Sequence, residues 1–92
     1  MIHGEIVTDE SYYNIYPSLL ELLTKNFTVI ESGIQGDAYI CVKYEDELVM
    51  LDTFSSMKFQ IKSNMTGGRL LEQVITVLEN YYTVCIYDIP EF

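Results

Sequence analysis

The sequence is poor in positive charge. It contains five Lys and Arg against 14 Asp and Glu, which gives a formal net charge of −9 over 92 residues. A protein that holds the phosphate backbone of a nucleic acid needs Lys and Arg to neutralise it. The composition therefore argues against direct nucleic-acid binding and favours a partner with a basic surface.

Side chains suited to catalysis are also scarce. The one histidine, His3, has no partner nearby in the sequence, and we expect it to be exposed to solvent. Cys41 and Cys85 lie inside apolar runs and are expected to be small, reduced core side chains. A nucleophile would need a neighbouring base, and a metal site would need ligands at usable spacing. We therefore expect a protein that is not an enzyme and holds no cofactor and no metal.

Long apolar runs are missing as well. No stretch approaches the roughly 18 residues that cross a bilayer, and the first residues lack the basic and apolar regions of a signal peptide. Because 49% of the residues are hydrophobic, the chain has enough apolar side chains to fold in spite of its charge. We expect a single domain over residues 1–92 that is cytoplasmic and does not bind membranes.

Two segments have the three- and four-residue spacing of apolar side chains that is typical of amphipathic helices. The first helix is predicted from Ser11 or Asn14 to Lys25, because Pro17 is tolerated only in a first turn or at a bend. The second is predicted from about residue 68 to residue 80, with Thr66 as its N-cap.

Alternating apolar and polar residues predict strands around and between these helices. The first strand, Ile2–Val7, is expected to lie at a sheet edge. Turns are expected over residues 33–37 and over Glu45-Asp46-Glu47. Met57, Phe59 and Ile61 should face the core from the fifth strand. The remaining predicted strands are Phe27–Ser32, Ala38–Tyr44, Leu48–Phe54, Met57–Lys62 and Thr83–Ile89, the last ended by Pro90.

The order of these elements defines the expected fold. Consecutive strands with short connections imply an antiparallel meander, and two amphipathic helices can bury their apolar stripes against one face of it. We predict an α+β two-layer sandwich, with an antiparallel sheet of about four to six strands and both helices packed on one face.

The segment Thr66-Gly67-Gly68-Arg69 precedes the second predicted helix, where backbone N–H groups and the helix dipole attract anions. It is not a Walker sequence, and a protein with this net charge repels anions before they arrive. We therefore expect a loop that uses the conformational freedom of glycine, and no phosphate site.

The negative charge is concentrated at the two ends of the sequence. Residues 1–24 and residues 70–92 each carry four carboxylates and neither Lys nor Arg, whereas residues 25–69 contain all five bases. Six of the eight tyrosines also lie in these two ends. Tyrosine rings are frequent binding hot spots, and carboxylates steer and pair basic partners, so the two together are typical of a docking surface.

We predict that the two ends form one acidic docking face, because the termini of small domains often lie close together. Tyr13 and Tyr82 are the tyrosines that packing explains least. An alternative stays open, in which the tyrosines complete the helix stripes and the carboxylates only keep the protein soluble. The residues predicted to bind the partner are Asp9, Glu10, Tyr12, Tyr13, Glu45, Asp46, Glu47, Tyr82, Asp88 and Glu91.

In size, in acidity and in its layout of a helix, a small antiparallel sheet and a further helix, the chain resembles phage-encoded inhibitors of host defence, of the anti-CRISPR and anti-restriction type. The resemblance implies an acidic inhibitor in the host-cell cytoplasm, monomeric or homodimeric. Such an inhibitor would occupy the basic surface of a CRISPR effector or restriction enzyme by nucleic-acid mimicry. The alternatives are an immunity or antitoxin protein that covers a toxin nuclease, and a structural subunit whose acidity is incidental.

Overall fold

The computed structural model describes residues 1–91 of the chain. It contains a mixed series of helices and strands that follow the predicted order. These elements are β1 (Ile2–Val7), α1 (Tyr12–Asn26), β2 (Thr28–Gln35), β3 (Asp37–Tyr44), β4 (Glu47–Asp52), β5 (Gln60–Ser63), α2 (Arg69–Glu79) and β6 (Thr83–Glu91).

The six strands form one antiparallel sheet in the order β2-β3-β4-β5-β1-β6. Strands β2 to β5 form the expected meander. The prediction that Ile2–Val7 is an edge strand is wrong, because β6 returns along its free side and β2 and β6 become the edges. Pro90 does not end β6, which runs on to Glu91. An edge strand tolerates proline because its outer N–H groups have no ladder partner to lose.

One core lies between the helices and one face of the sheet. Helix α1 packs over β2 and β3, and α2 packs over β4 and β6. Ala38, Ile40 and Val42 are each 0% exposed, so the predicted alternation in β3 is confirmed. The α+β arrangement with both helices against an antiparallel sheet is therefore confirmed. The other buried apolar side chains of the core are Ile6, Ile15, Tyr16, Leu19, Leu23, Val49, Leu51, Phe59, Ile61, Leu70, Leu71, Val74 and Leu78.

Helix α1 starts at the earlier of its two predicted positions. The hydroxyl of Ser11 accepts a hydrogen bond from the backbone N–H of Tyr13 at 3.2 Å and caps the helix. Pro17 lies inside the helix and removes one backbone donor. The helix continues to Asn26 because Leu19 and Leu23, beyond the proline, are fully buried against the sheet.

Strand β5 is shorter than predicted. Phe59 and Ile61 are buried as expected, but Met57 is 78% exposed and does not face the core. The reason is that Met57 lies in the connection between β4 and β5 and not in a strand. Thr53 exchanges hydrogen bonds with Ala38, through its backbone N–H and its hydroxyl, both at 3.0 Å. Residues 53–59 then form a loop, and β5 begins at Gln60.

Three further expectations are corrected by strand placement. His3 is buried, because β1 lies between β5 and β6. Cys41 is half-buried and Cys85 is exposed, so neither belongs to the core. The predicted turn over residues 33–37 is confined to the region of Gly36, because β2 extends to Gln35 and β3 starts at Asp37. Gly36 has a φ of +77°, a conformation that favours glycine.

Candidate functional site

The two acidic ends of the sequence meet in the sheet, because β1 and β6 are neighbouring strands. Val7 pairs with Thr83, which places the β1–α1 loop beside the start of β6. The turn at Gly36 lies at this same end of the sheet, since the hydroxyl of Tyr12 donates a hydrogen bond to the Gly36 carbonyl. We call this region the tyrosine end and define it by Asp9, Glu10, Tyr12, Tyr13, Asp37 and Tyr82.

Tyr12 and Tyr13 form a stacked aromatic pair at the start of α1. Their ring centroids lie 4.8 Å apart with an interplanar angle of 28°. The hydrogen bond to Gly36 holds the Tyr12 ring in place, so Tyr13 stacks on a fixed support. Tyr13 is 53% exposed. A large ring that is held in position and open to solvent loses little conformational entropy when a partner covers it.

Asp37 belongs to this site, although the sequence did not single it out. It begins β3 directly after the Gly36 turn, and it is exposed. Burial raises the pKa of the Tyr12 hydroxyl above its usual value, and the nearby Tyr13 and the Asp37 carboxylate add to this effect. The only sequence signal for Asp37 was its place after a turn glycine, which does not show that the turn docks on α1.

Glu10 and Tyr82 complete the tyrosine end from the other side. Burial raises the pKa of the Tyr82 phenol, and the carboxylate of Glu10 adds to this shift. Tyr82 packs against the core and is half-buried. Packing therefore explains the presence of this tyrosine better than the sequence analysis predicted. Its neighbour Tyr81 is 69% exposed and lines a groove between α1 and the end of α2 together with Glu21.

The predicted residues Glu45, Asp46 and Glu47 lie at the opposite end of the sheet. Strand β3 runs from Asp37 to Tyr44, so at about 3.3 Å per residue this turn is roughly 25 Å from the tyrosine end. We call it the hairpin end and define it by Glu45, Asp46, Glu47, Asn64 and Arg69. The structure therefore does not bring the three hairpin carboxylates together with Asp9 and Glu10.

Glu47 has a structural role at the hairpin end. Its Oε1 accepts a hydrogen bond from the backbone N–H of Leu70 at 3.1 Å and so caps helix α2. The prediction that Thr66 is the N-cap of this helix is wrong. The N-cap residue is Gly68, which makes no side-chain capping hydrogen bond. A Cβ at position 68 would collide with the Glu47 carboxylate. Because a carboxylate of the chain itself occupies this helix terminus, an anion cannot use it as a cradle.

The rest of the hairpin end is also bound into the fold. Asn64 donates through Nδ2 to the Asp46 carbonyl and accepts through Oδ1 from the Leu48 backbone N–H, both at 2.9 Å. Glu45 has a φ of +55°, which lets the turn close. The hairpin carboxylates are thus part of a turn that is fastened to the loop before α2.

Asp88 and Glu91 lie away from the tyrosine end as well. Glu91 pairs with Ile2, at the end of β1 opposite to Val7, and Asp88 lies in the irregular part of β6 between Ile86 and Glu91. Both are exposed on an edge strand. Charged side chains on an edge discourage sheet-to-sheet association, which gives them a role that needs no partner.

Positive charge is unevenly distributed between the two ends. Within residues 1–91, the structure has two ion pairs, Lys58 with Glu5 at 4.0 Å and Lys62 with Asp52 at 2.9 Å. Lys43 lines a pocket beside Tyr44, and Arg69 lines another with the hairpin carboxylates, so both lie toward the hairpin end. Lys25 lines the pocket beside Tyr44 and also the groove that contains Tyr81 and Tyr82. Among residues 1–91, Asp9, Glu10 and Asp37 of the tyrosine end take part in no ion pair.

The groups that could support catalysis are dispersed. His3 is 7% exposed, its Nε2 has no hydrogen-bond partner, and burial together with the nearby N-terminal ammonium lowers its pKa. Burial and the neighbouring Glu31 raise the pKa of the Cys41 thiol, which reduces its thiolate fraction at neutral pH. Among residues 1–91, no group of His, Cys, Asp and Glu side chains is arranged to hold a metal ion.

Comparisons with protein-family models, with curated proteins and with solved structures gave no match to this chain. Neither helix within residues 1–91 combines the length and the hydrophobicity that crossing a lipid bilayer requires. The geometry and charge of the molecule are therefore the basis for assigning a function.

Proposed function

We propose that this protein is an acidic inhibitor that binds the basic, nucleic-acid-binding surface of another protein through its tyrosine end. The target class is a nucleic-acid-processing protein of host defence, a CRISPR effector or a restriction enzyme. The target class is supported by the resemblance in size, charge and layout, and the location of the site is supported by the contacts described above.

The observation that carries the proposal is the unbalanced charge at the tyrosine end. Of the 14 carboxylates in the chain, only Glu5 and Asp52 take part in the ion pairs found within residues 1–91. Asp9, Glu10 and Asp37 are exposed, and the one lysine in the nearby loop over residues 53–59 is Lys58, which pairs with Glu5. Such a surface attracts Lys and Arg that have evolved to hold phosphates.

The aromatic pair supplies contact area for binding, which the charge alone does not provide. Carboxylates mainly raise the rate of encounter and select the sign of the partner, and their contribution at an exposed rim is small. Tyr13, stacked on the fixed ring of Tyr12, offers an exposed ring and a hydroxyl on the same end of the sheet as these carboxylates. Rings of this kind are the usual hot spots of interfaces, so we assign Tyr13 as the central contact.

The test is capture of the partner followed by competition. The protein is immobilised, incubated with lysate of a cell that carries CRISPR and restriction systems, and the captured proteins are identified by mass spectrometry. The purified partner is then titrated against the inhibitor with labelled duplex DNA or RNA, over a range of salt concentrations. The proposal predicts a nucleic-acid-binding partner, mutual exclusion with its nucleic acid, and affinity that falls as salt rises.

A matched pair of variants shows whether binding uses the tyrosine end. Asp9→Lys/Glu10→Lys and Glu45→Lys/Asp46→Lys change the net charge by the same amount, from two adjacent exposed carboxylates in each case. Loss of binding in the first variant with retention in the second supports the proposal. Binding that ignores both salt and competing nucleic acid contradicts it, as does equal loss in the two variants.

A further inference from the structure

The connection between β4 and β5, which we call the 53–59 loop, is fixed to β3 at its start. Thr53 donates its backbone N–H to the Ala38 carbonyl, and its hydroxyl accepts a hydrogen bond from the Ala38 backbone N–H, both at 3.0 Å. Asp37, a carboxylate of the tyrosine end, directly precedes Ala38 in the chain. The start of the 53–59 loop therefore lies beside that carboxylate.

The end of the same loop is fixed to β1. The Phe59 carbonyl accepts a hydrogen bond from the Ile6 backbone N–H at 2.9 Å. Strand β1 then leads directly into the segment that carries Asp9 and Glu10. Strands β3 and β1 are three positions apart in the sheet, which corresponds to about 14 Å at about 4.8 Å per strand. The loop thus lies between the two groups of carboxylates of the tyrosine end.

Met57 is the most exposed apolar side chain of this loop, with 78% of its surface open to solvent. The backbone around it is held in place, because the Lys58 N–H donates a hydrogen bond to Ser56 Oγ at 3.2 Å. A single exposed apolar side chain is common on protein surfaces. Here Tyr13 and Phe54 are exposed at the same end of the sheet, so Met57 belongs to a group of apolar side chains among carboxylates.

This combination matches the two chemical parts of an unpaired nucleotide. Proteins that hold single strands use Lys and Arg for the phosphates and aromatic rings on which the unpaired bases stack. A duplex keeps its bases stacked inside, and the proteins that bind it contact phosphates and polar base edges. The thioether of methionine packs favourably against aromatic rings. An exposed methionine between carboxylates therefore fits a surface built for a single strand better than one built for a duplex.

We propose that Met57 takes the place of a base on the partner, so that the target is a protein that holds single-stranded nucleic acid. This inference rests on the proposed function and narrows its target class. Asp9, Glu10 and Asp37 meet the Lys and Arg that hold phosphates, and Met57 packs on an aromatic ring that otherwise stacks a base. The one base of the loop, Lys58, pairs with Glu5 of the chain itself.

The experiment uses the captured partner in purified form and two fluorescent probes. One probe is a single strand of mixed sequence and about 20 nucleotides, longer than a typical single-strand site, prepared as DNA and as RNA. The other is a DNA duplex of the same sequence. Fluorescence anisotropy measures binding of each probe and its displacement by the inhibitor. The partner should bind a single strand, and the inhibitor should displace it.

A pair of methionine variants tests the role of Met57. Met57→Ser should weaken binding of the partner about tenfold and leave the slope of affinity against salt unchanged, because no charge is altered. Met57→Leu keeps the apolar area and should stay within about threefold of the wild type. The matched control is Met65→Ser, since Met65 is 40% exposed but lies with Arg69 at the hairpin end, and it should bind as the wild type does. Circular dichroism spectra should be the same for all variants.

The outcomes separate this inference from the proposed function. A partner that binds the duplex and neither single strand overturns the inference alone, and so does equal affinity of Met57→Ser and Met65→Ser for a partner whose binding depends on salt. Binding that ignores both salt and nucleic acid contradicts the proposed function, and this inference with it.

Discussion

The tyrosine end and the hairpin end each expose carboxylates, but the fold uses them differently. At the hairpin end, Glu47 caps helix α2, Asn64 fastens the turn, and Arg69 lies among the carboxylates. At the tyrosine end, the hydrogen bonds position a ring and not the carboxylates. The comparison indicates that negative charge alone does not mark a binding site. Within residues 1–91, only Glu47 of the three hairpin carboxylates has a structural contact, so what distinguishes the tyrosine end is the aromatic pair that is already in position beside its exposed carboxylates.

The largest expected effect comes from reversing charge at one end only. Asp9→Lys/Glu10→Lys should weaken binding of the captured partner by about 100-fold, because it removes two attractive contacts and adds two repulsive ones. Glu45→Lys/Asp46→Lys should change the affinity by less than about threefold, since long-range attraction is screened in salt. Isothermal titration calorimetry in about 0.15 M salt measures both. A larger loss in the hairpin variant would move the site to the other end.

Removing the exposed ring of the tyrosine end should have the next largest effect on binding. Removing an exposed ring at the hairpin end should have none. Tyr13→Ala is expected to reduce affinity about tenfold, while Tyr44→Ala, which truncates a ring 60% exposed beside the hairpin turn, should leave it unchanged. Thermal unfolding provides the control, since both variants should stay within about 1 kcal/mol of the wild type. Equal affinities for the two variants would mean that aromatic contact is not part of the site.

The hairpin end should respond in stability and not in binding. Glu47→Ala removes the hydrogen bond to Leu70 and should lower the free energy of unfolding by about 1 kcal/mol. Asp46→Ala removes a neighbouring charge whose side chain makes no hydrogen bond among residues 1–91, and it should cost less than about 0.5 kcal/mol. Urea unfolding measures both differences. Equal stability of the two variants would show that the cap contributes little.

The smallest expected effect is the contribution of His3 to the pH dependence of stability. Burial lowers the pKa of His3 in the folded protein, whereas in the unfolded chain it titrates near its ordinary value of about 6.5. The unfolded state therefore binds the proton first, and stability falls as pH drops through 6.5 toward the folded pKa. Urea unfolding at about pH 7.5 and about pH 5.5 should show a smaller decrease for His3→Gln than for the wild type. Identical decreases would contradict a buried neutral imidazole.

Local patterns in the sequence were sufficient for most of the elements. The stripe through Leu19 and Leu23 and the alternation of Ala38, Ile40 and Val42 are short-range signals, and the buried faces they predict are the observed ones. The pairing of β1 with β6 joins residues about 80 positions apart, so no local pattern could place Ile2–Val7 inside the sheet. The burial of His3 follows from that pairing and was missed with it.

The candidate site was predictable only in part. Asp9, Glu10, Tyr12 and Tyr13 are contiguous in sequence around a helix start, so any fold with that helix keeps them together. Asp37 joins them through the Tyr12 hydrogen bond to Gly36, a contact across 24 positions. Glu47 was wrongly grouped with the partner-binding residues, because no sequence pattern indicates its hydrogen bond to Leu70, which lies 23 positions away. Side chains that act across the sheet are the ones that sequence reasoning misplaces.

Hydrogen exchange of the protein alone and in complex with its captured partner tests the central claim most directly. Backbone amides over residues 8–13 and 36–38 should exchange more slowly in the complex, and excess nucleic acid of the kind the partner binds should abolish this protection. Amides over residues 44–48 should be unaffected. Protection that centres on residues 44–48, or that persists with the nucleic acid bound, would contradict an inhibitor that acts through the tyrosine end.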